Sequence, residues 1–209
     1  PIASLMLTVK NLTCARGGVP VLTDVSLNVA AGDALILRGS NGIGKTTLLR
    51  TLAGLQPALS GIIAYPDDQG AYASHADGIK AALTVNENLA FWADVHGRAL
   101  QDGVFSAFDL SDLRTRVAGT LSAGQKRRLG LARLAVIGRQ ILFLDEPTVS
   151  LDRFSVKLFA DWLENTHLAG GGCAVIDTHI DLGIDAPELD LTAFKAAKTA
   201  EGGSDEAFL

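Results

Sequence analysis

The run Ala34–Thr47, "ALILRGSNGIGKTT", constrains this chain more than any other stretch. A short continuous apolar segment passes into a glycine-rich loop, and the loop enters "KTTLLRTLAGLQP", which is helical in pattern and stopped by Gly54 and Pro57. Apolar runs of this length are typical of strands covered on both faces, so the segment predicts a buried strand of a parallel sheet. Gly39, Gly44, Lys45 and Thr46 stand in the G-x-x-x-x-G-K-[ST] spacing, between strand and helix as its mechanism requires. In such a loop the backbone from Gly39 through Ser40, Asn41, Gly42, Ile43 and Gly44 curls its N–H groups around phosphates. Lys45 supplies a point charge to the β and γ groups, the Thr46 hydroxyl ligates Mg²⁺, and Thr47 follows in the first helical turn. A nucleoside triphosphate with Mg²⁺ is the expected ligand.

Two more buried-strand candidates follow, "ILFLD" at 141–145 and "CAVIDTH" at 173–179, with helical patterns between them. Strands alternating with helices predict an α/β fold around a parallel sheet. The first of these runs delivers Asp145 and Glu146 to the carboxyl edge of the sheet, beside the phosphate loop. Asp145 is placed to orient the Mg²⁺ shell, and Glu146 to polarise an attacking water as general base. His179 ends the other run, where strand ends meet ligands in open sheets, and from there it can hydrogen-bond a γ-phosphate and fix the water.

Ahead of this core, "LMLTVKNL" and "VLTDVSLNV" alternate around the turn-like "RGGVP" and predict an antiparallel β piece. "LTVNENLAFWADVHG" opens with a capping box, Thr84 with Glu87, and the pattern stays helical to Val117. "TLSAGQKRRLGLARL" opens with a second, Ser122 with Gln125, and Gly124 removes side-chain bulk from its first turn. Unpaired N–H groups and the positive dipole end make that turn either an ordinary capped start or an anion site. The chain therefore reads as one domain, with a core at 1–82 and 135–200, a helical insertion at about 83–134 and a mobile tail at 201–209.

Composition removes several alternatives. A formal charge of −5 argues against broad binding to nucleic acid. No apolar run approaches the roughly 18 residues of a membrane span, and the N-terminus shows no secretory pattern. Cys14 and Cys173 lie far apart without ligand spacing, as expected of buried free thiols in a reducing compartment.

Taken in order, the loop at 39–47, "LSAGQ" at 121–125, "LFLDEP" at 142–147, "SLD" at 150–152 and His179 resemble the motifs of ATP-binding-cassette ATPases (a P-loop NTPase core). The resemblance implies ATP as ligand and a nucleotide-sandwich homodimer, in which Ser122, Gly124 and Gln125 face the γ-phosphate held by the partner copy. It places Asp152 at the dimer seam and the helical insertion against a membrane partner. Two positions depart from the pattern. Ala76 stands where the family has a glutamine that touches Mg²⁺ and the attacking water, leaving Gln69 or His75 as substitutes if the loop is rearranged. Arg16 stands where an aromatic residue stacks on adenine, either stacking through its guanidinium plane or remaining a solvated turn residue.

Within that family, "NLTCAR", "GIKAALTVNENLAFW", "LSAGQKRRLGLARL" and "THIDLGI" are similar to the ATP-binding subunits of cytochrome c biogenesis. This implies an integral membrane permease of a cytochrome c maturation complex as partner, at the cytoplasmic face of the bacterial inner membrane, with ATP hydrolysis serving haem export or handling. No C-x-x-C-H or axial-ligand spacing reads haem in the residues themselves. Another exporter of the same family, or a soluble ATPase in cofactor assembly, are the alternatives.

Overall fold

The two alternating N-terminal runs pair into an antiparallel sheet in the computed structural model, which describes residues 4–74, 76 and 78–197. The tail at 201–209 and His75 lie outside the described residues. Strand β1 (Leu5–Arg16) turns back through Gly17 and Gly18 into β2 (Val19–Ala30). The other edge of β1 carries β4 (Ser60–Ala64), giving the order β2-β1-β4.

The second sheet has five strands, all parallel: β5 (Gly70–Ala73), β6 (Ile141–Asp145), β7 (Cys173–Asp177), β3 (Ala34–Arg38) and β8 (Glu188–Asp190), in that order across the sheet. The three apolar runs anticipated as buried strands are the three central ones. Their period-2 alternation divides the core. Ile141 and Phe143 of β6, Cys173 and Val175 of β7, and Leu35 and Leu37 of β3 pack with the antiparallel sheet and helix α1 (Lys45–Leu52). Leu142 and Leu144, Ala174 and Ile176, and Ala34 pack on the opposite face with the remaining helices. Apolar side chains run along both faces of these strands up to their last residues, Arg38, Asp145 and Asp177, because neither face meets water.

Those remaining helices are α2 (Val85–Val95), α3 (Gly103–Ala107), α4 (Ala123–Ile137) and α5 (Arg153–Trp162), with short 3₁₀ turns at Ser111–Leu113 and Ala118–Thr120. Both anticipated capping boxes form. The Thr84 hydroxyl accepts the Glu87 N–H at 3.1 Å, and the Ser122 hydroxyl accepts that of Gln125 at 3.2 Å. Helix α4 is continuous across residue 134, so the helical region and the core share it. Cys14 and Cys173 are buried free thiols. Among the described residues no helix is long and apolar enough to cross a membrane.

Candidate functional site

The strand order places the ends of β3, β6 and β7 side by side, so the loops leaving these three neighbours converge at one edge of the sheet. The loop after β3 takes positive φ at Gly39 (137°), Gly42 (81°) and Gly44 (121°), a region closed to most side chains. At Gly44 a Cβ would also lie 3.1 Å from Leu22, so the first antiparallel sheet holds the loop from below. Lys45 is buried, and its Nζ donates to the Gly39 carbonyl at 2.9 Å, closing the loop on itself.

The Thr46 hydroxyl donates to Asp145 Oδ1 at 3.1 Å, and the Tyr72 hydroxyl donates to Oδ2 of the same carboxylate at 2.7 Å. Burial, followed by this bond to Asp145, pushes the Tyr72 phenol upward, so it remains a donor. Thr46 and Asp145 bring two hard oxygen ligands together, the donor set that suits Mg²⁺ completed by water and phosphate oxygens. Glu146 sits at φ 50°, uncommon outside glycine, with its N–H donating to the Asp177 carbonyl at 2.9 Å. Its Oε1 lies 3.0 Å from His179 Nε2.

These groups line a cleft of about 250 Å³. Of the residues expected from sequence, Asn41, Gly42, Gly44, Lys45, Thr46, Asp145, Glu146, His179 and Arg16 all border it. Ile43 and Thr47 are buried behind the loop instead: Ile43 packs against Gly39, and the Thr47 carbonyl accepts the Thr51 hydroxyl. Ser122, Gly124, Gln125 and Asp152 do not line the cleft. A Cβ at Gly124 would meet nothing within 4 Å, so the first turn of α4 has open space beside it. Asp152 caps α5, its Oδ1 accepting the Ser155 N–H at 2.8 Å; this bond holds its carboxyl below the usual value.

Three contributors have no counterpart in the sequence reading. Tyr72 lies on β5, whose "GAYA" has neither the length nor the apolar content of a buried-strand signal. Asp177 ends β7 and is only 4% exposed, with Lys45 Nζ 3.8 Å from its Oδ1. Burial lifts its carboxyl to about 6, the Lys45 ammonium opposing this and the Glu146 and Asp145 carboxylates adding to it. An acid inside "CAVID" was the available signal. Arg127 of α4, also buried, donates to the carbonyls of Ser74 (2.7 Å), Glu146 (3.3 Å) and Pro147 (2.7 Å). It ties the first turns of α4 to the loop carrying Glu146 and to the end of β5.

The departure at Ala76 is sharpened. Gln69 precedes β5 at the far end of the sheet, where its carbonyl accepts the Ile141 N–H. Four residues of strand, on the order of 13 Å, separate it from the cleft edge, so Gln69 is no substitute for the missing glutamine. The Ala76 N–H is bonded to the Ser74 hydroxyl at 3.3 Å.

Comparison with known proteins shows the family and the fold. A family model described as ABC transporter matches residues 22–149. A cytochrome c biogenesis ATP-binding export protein CcmA from Roseobacter denitrificans is 59% identical, over 98% of this chain and all of that protein. Its namesake from Rhodobacter capsulatus is 56% identical over 97% of this chain and 95% of its own length. Among solved structures, an ABC transporter ATP-binding protein from Pyrococcus furiosus superposes with a TM-score of 0.79 at 22% identity, over 91% of this chain and 99% of that one.

Proposed function

The chain belongs to the ABC transporter family, within it to the cytochrome c biogenesis ATP-binding export proteins, and from that premise we propose how its residues divide the work. It is an ATPase, the ATP-hydrolysing subunit of an ABC-type export system for c-type cytochrome biogenesis. The observation that carries the catalytic reading is the Glu146–His179 pair, 3.0 Å apart, in the same cleft as Lys45 and Thr46.

The backbone of 39–44 and Lys45 bind the β and γ phosphates. Thr46 and Asp145 hold Mg²⁺, which when bound neutralises charge on the phosphate oxygens. Glu146 takes the proton from the attacking water, and the single N–H of His179 orients that carboxylate until ATP binds and then donates to the γ-phosphate. Arg16 at the cleft wall stacks on the base. Hydrolysis requires a second copy: the first turn of α4, with Ser122, Gly124 and Gln125, closes on the partner's γ-phosphate, and Asp152 lies at the seam. The separation of these residues from the chain's own cleft and the open space at Gly124 support that reading.

The helical region docks on an integral membrane permease of the maturation complex, at the cytoplasmic face of the inner membrane, and closure of the dimer drives export, with haem as the cargo. Affinity purification of the full chain from native membranes tests this. An integral cytochrome c maturation component co-purifying in detergent is the expected result; recovery as a membrane-free dimer would contradict it.

A further inference from the structure

Asp177 Oδ1 is a buried carboxylate oxygen without a hydrogen-bond partner among the described residues, and Asp177 borders the nucleotide cleft. Lys45 Nζ, at 3.8 Å, is too far to satisfy it and already donates to the Gly39 carbonyl. A buried anionic acceptor left in this state costs free energy that a ligand would recover. Two further donor groups stand beside it. One ligand atom from each of Glu146, Asp177 and His179 lies within 4.8 Å of the others, and the Glu146–His179 separation is already 3.0 Å. Ligand atoms about 2.0–2.2 Å from a tetrahedral ion sit on the order of 3.3 Å from one another, so small side-chain movements would converge all three.

We propose that Glu146, Asp177 and His179 form a binding site for a divalent transition-metal ion, separate from the Thr46–Asp145 pair. The donor set argues for the class of ion. An imidazole nitrogen with two carboxylate oxygens suits Zn²⁺, Co²⁺ or Mn²⁺, whereas Mg²⁺ prefers the all-oxygen environment of Thr46 and Asp145. The local charge agrees: Asp145, Glu146 and Asp177 oppose Lys45 and Arg16 around the cleft. Lys45 is the opposing influence, and its ammonium is already paired with a carbonyl. Three protein ligands leave a coordination position open to water or a phosphate oxygen. An ion bound by these three engages Glu146 and His179 while the phosphate loop stays accessible, so it arrests turnover without displacing ATP. That consequence rests on the general-base reading of Glu146; the binding itself does not.

The test is calorimetric titration of Zn²⁺ into the metal-stripped, nucleotide-free full chain, with Co²⁺ absorption spectra as a second readout. One Zn²⁺ per chain is expected, weakened at least ~10-fold by Asp177→Asn and by His179→Ala, and retained in Thr46→Ala. Co²⁺ should give ligand-field bands that vanish in His179→Ala. Glu146→Gln, with a folded far-ultraviolet spectrum as the control, serves if either of the first two variants misfolds. No binding at micromolar Zn²⁺, binding undiminished in the ligand variants, or binding lost in Thr46→Ala would each overturn the proposal.

Discussion

His179 Nε2 stands 3.0 Å from Glu146 Oε1, joining residues just beyond the ends of the neighbouring strands β6 and β7. The histidine side chain is 60% exposed and the glutamate 25%, so solvent reaches the pair within the cleft, as the proposed attack by water requires. The imidazole restrains a carboxylate whose backbone is already held at φ 50°. His179→Ala should therefore lower kcat by about 100-fold, the scale of a lost acid–base or positioning contact. ATP affinity, measured by titration of a fluorescent analogue, should change little.

Asp177 makes stability depend on pH. Its carboxyl titrates at about 6 in the folded chain against an ordinary value of 3.8, so the folded state binds the extra proton. The stabilisation from protonated Asp177 is complete below about pH 4 and is lost as pH rises through about 6. Asp177→Asn should then stabilise the fold at about pH 7.5 in chelator by on the order of 2 kcal/mol, seen as a raised melting temperature. The gain should shrink toward about pH 4. An equal gain at both pH values would exclude ionisation as its source.

Gly124 separates a structural role for the α4 start from a ligand role. A carboxylate near a helix N-terminus stabilises by about 0.3–1 kcal/mol, and a side chain at this position meets open space. Gly124→Asp should leave thermal stability equal or slightly raised. The same charge, facing a partner's γ-phosphate, should reduce turnover by at least ~100-fold. ATP binding by the monomer should persist. Full turnover in this variant would leave the α4 start as a capped helix only.

Arg127 links α4 to the loop that carries Glu146. Arg127→Ala removes charge-assisted bonds to the Ser74, Glu146 and Pro147 carbonyls and leaves buried acceptors unmet. A loss of about 3 kcal/mol is expected, seen as a fall in melting temperature of roughly 6–12 °C. Arg127→Lys should recover part of it.

The residues that were legible in the sequence share one physical property: local spacing specified them. The phosphate loop, both capping boxes and the three central strands follow from glycine placement, side-chain reach and continuous apolar runs. Strands β4, β5 and β8 were not legible, because "SGIIA", "GAYA" and "ELD" are short and form at sheet edges through pairing with distant segments. Tyr72 escaped notice for the same reason, whereas Asp177 ends a strand that was legible and was marked by the acid inside "CAVID". Tyr72 meets Asp145 across 73 positions and gains meaning only from the β5–β6 pairing. Arg127 likewise reads as one basic residue in "QKRRL" until the loops it bridges are brought together. Gln69 shows the converse: its distance from the cleft is set by strand direction, which counting along the chain does not give.

The proposed mechanism turns on Glu146 as the base that activates water. The direct measurement is ATP turnover by Glu146→Gln at saturating Mg²⁺-ATP, with bound nucleotide and oligomeric state read from the same sample by light-scattering chromatography. Turnover should fall by at least ~1,000-fold, while ATP stays bound and the chain accumulates as a dimer. Turnover close to that of the unmodified chain would contradict the assignment of Glu146 as general base, and with it the catalytic role of the Glu146–His179 pair.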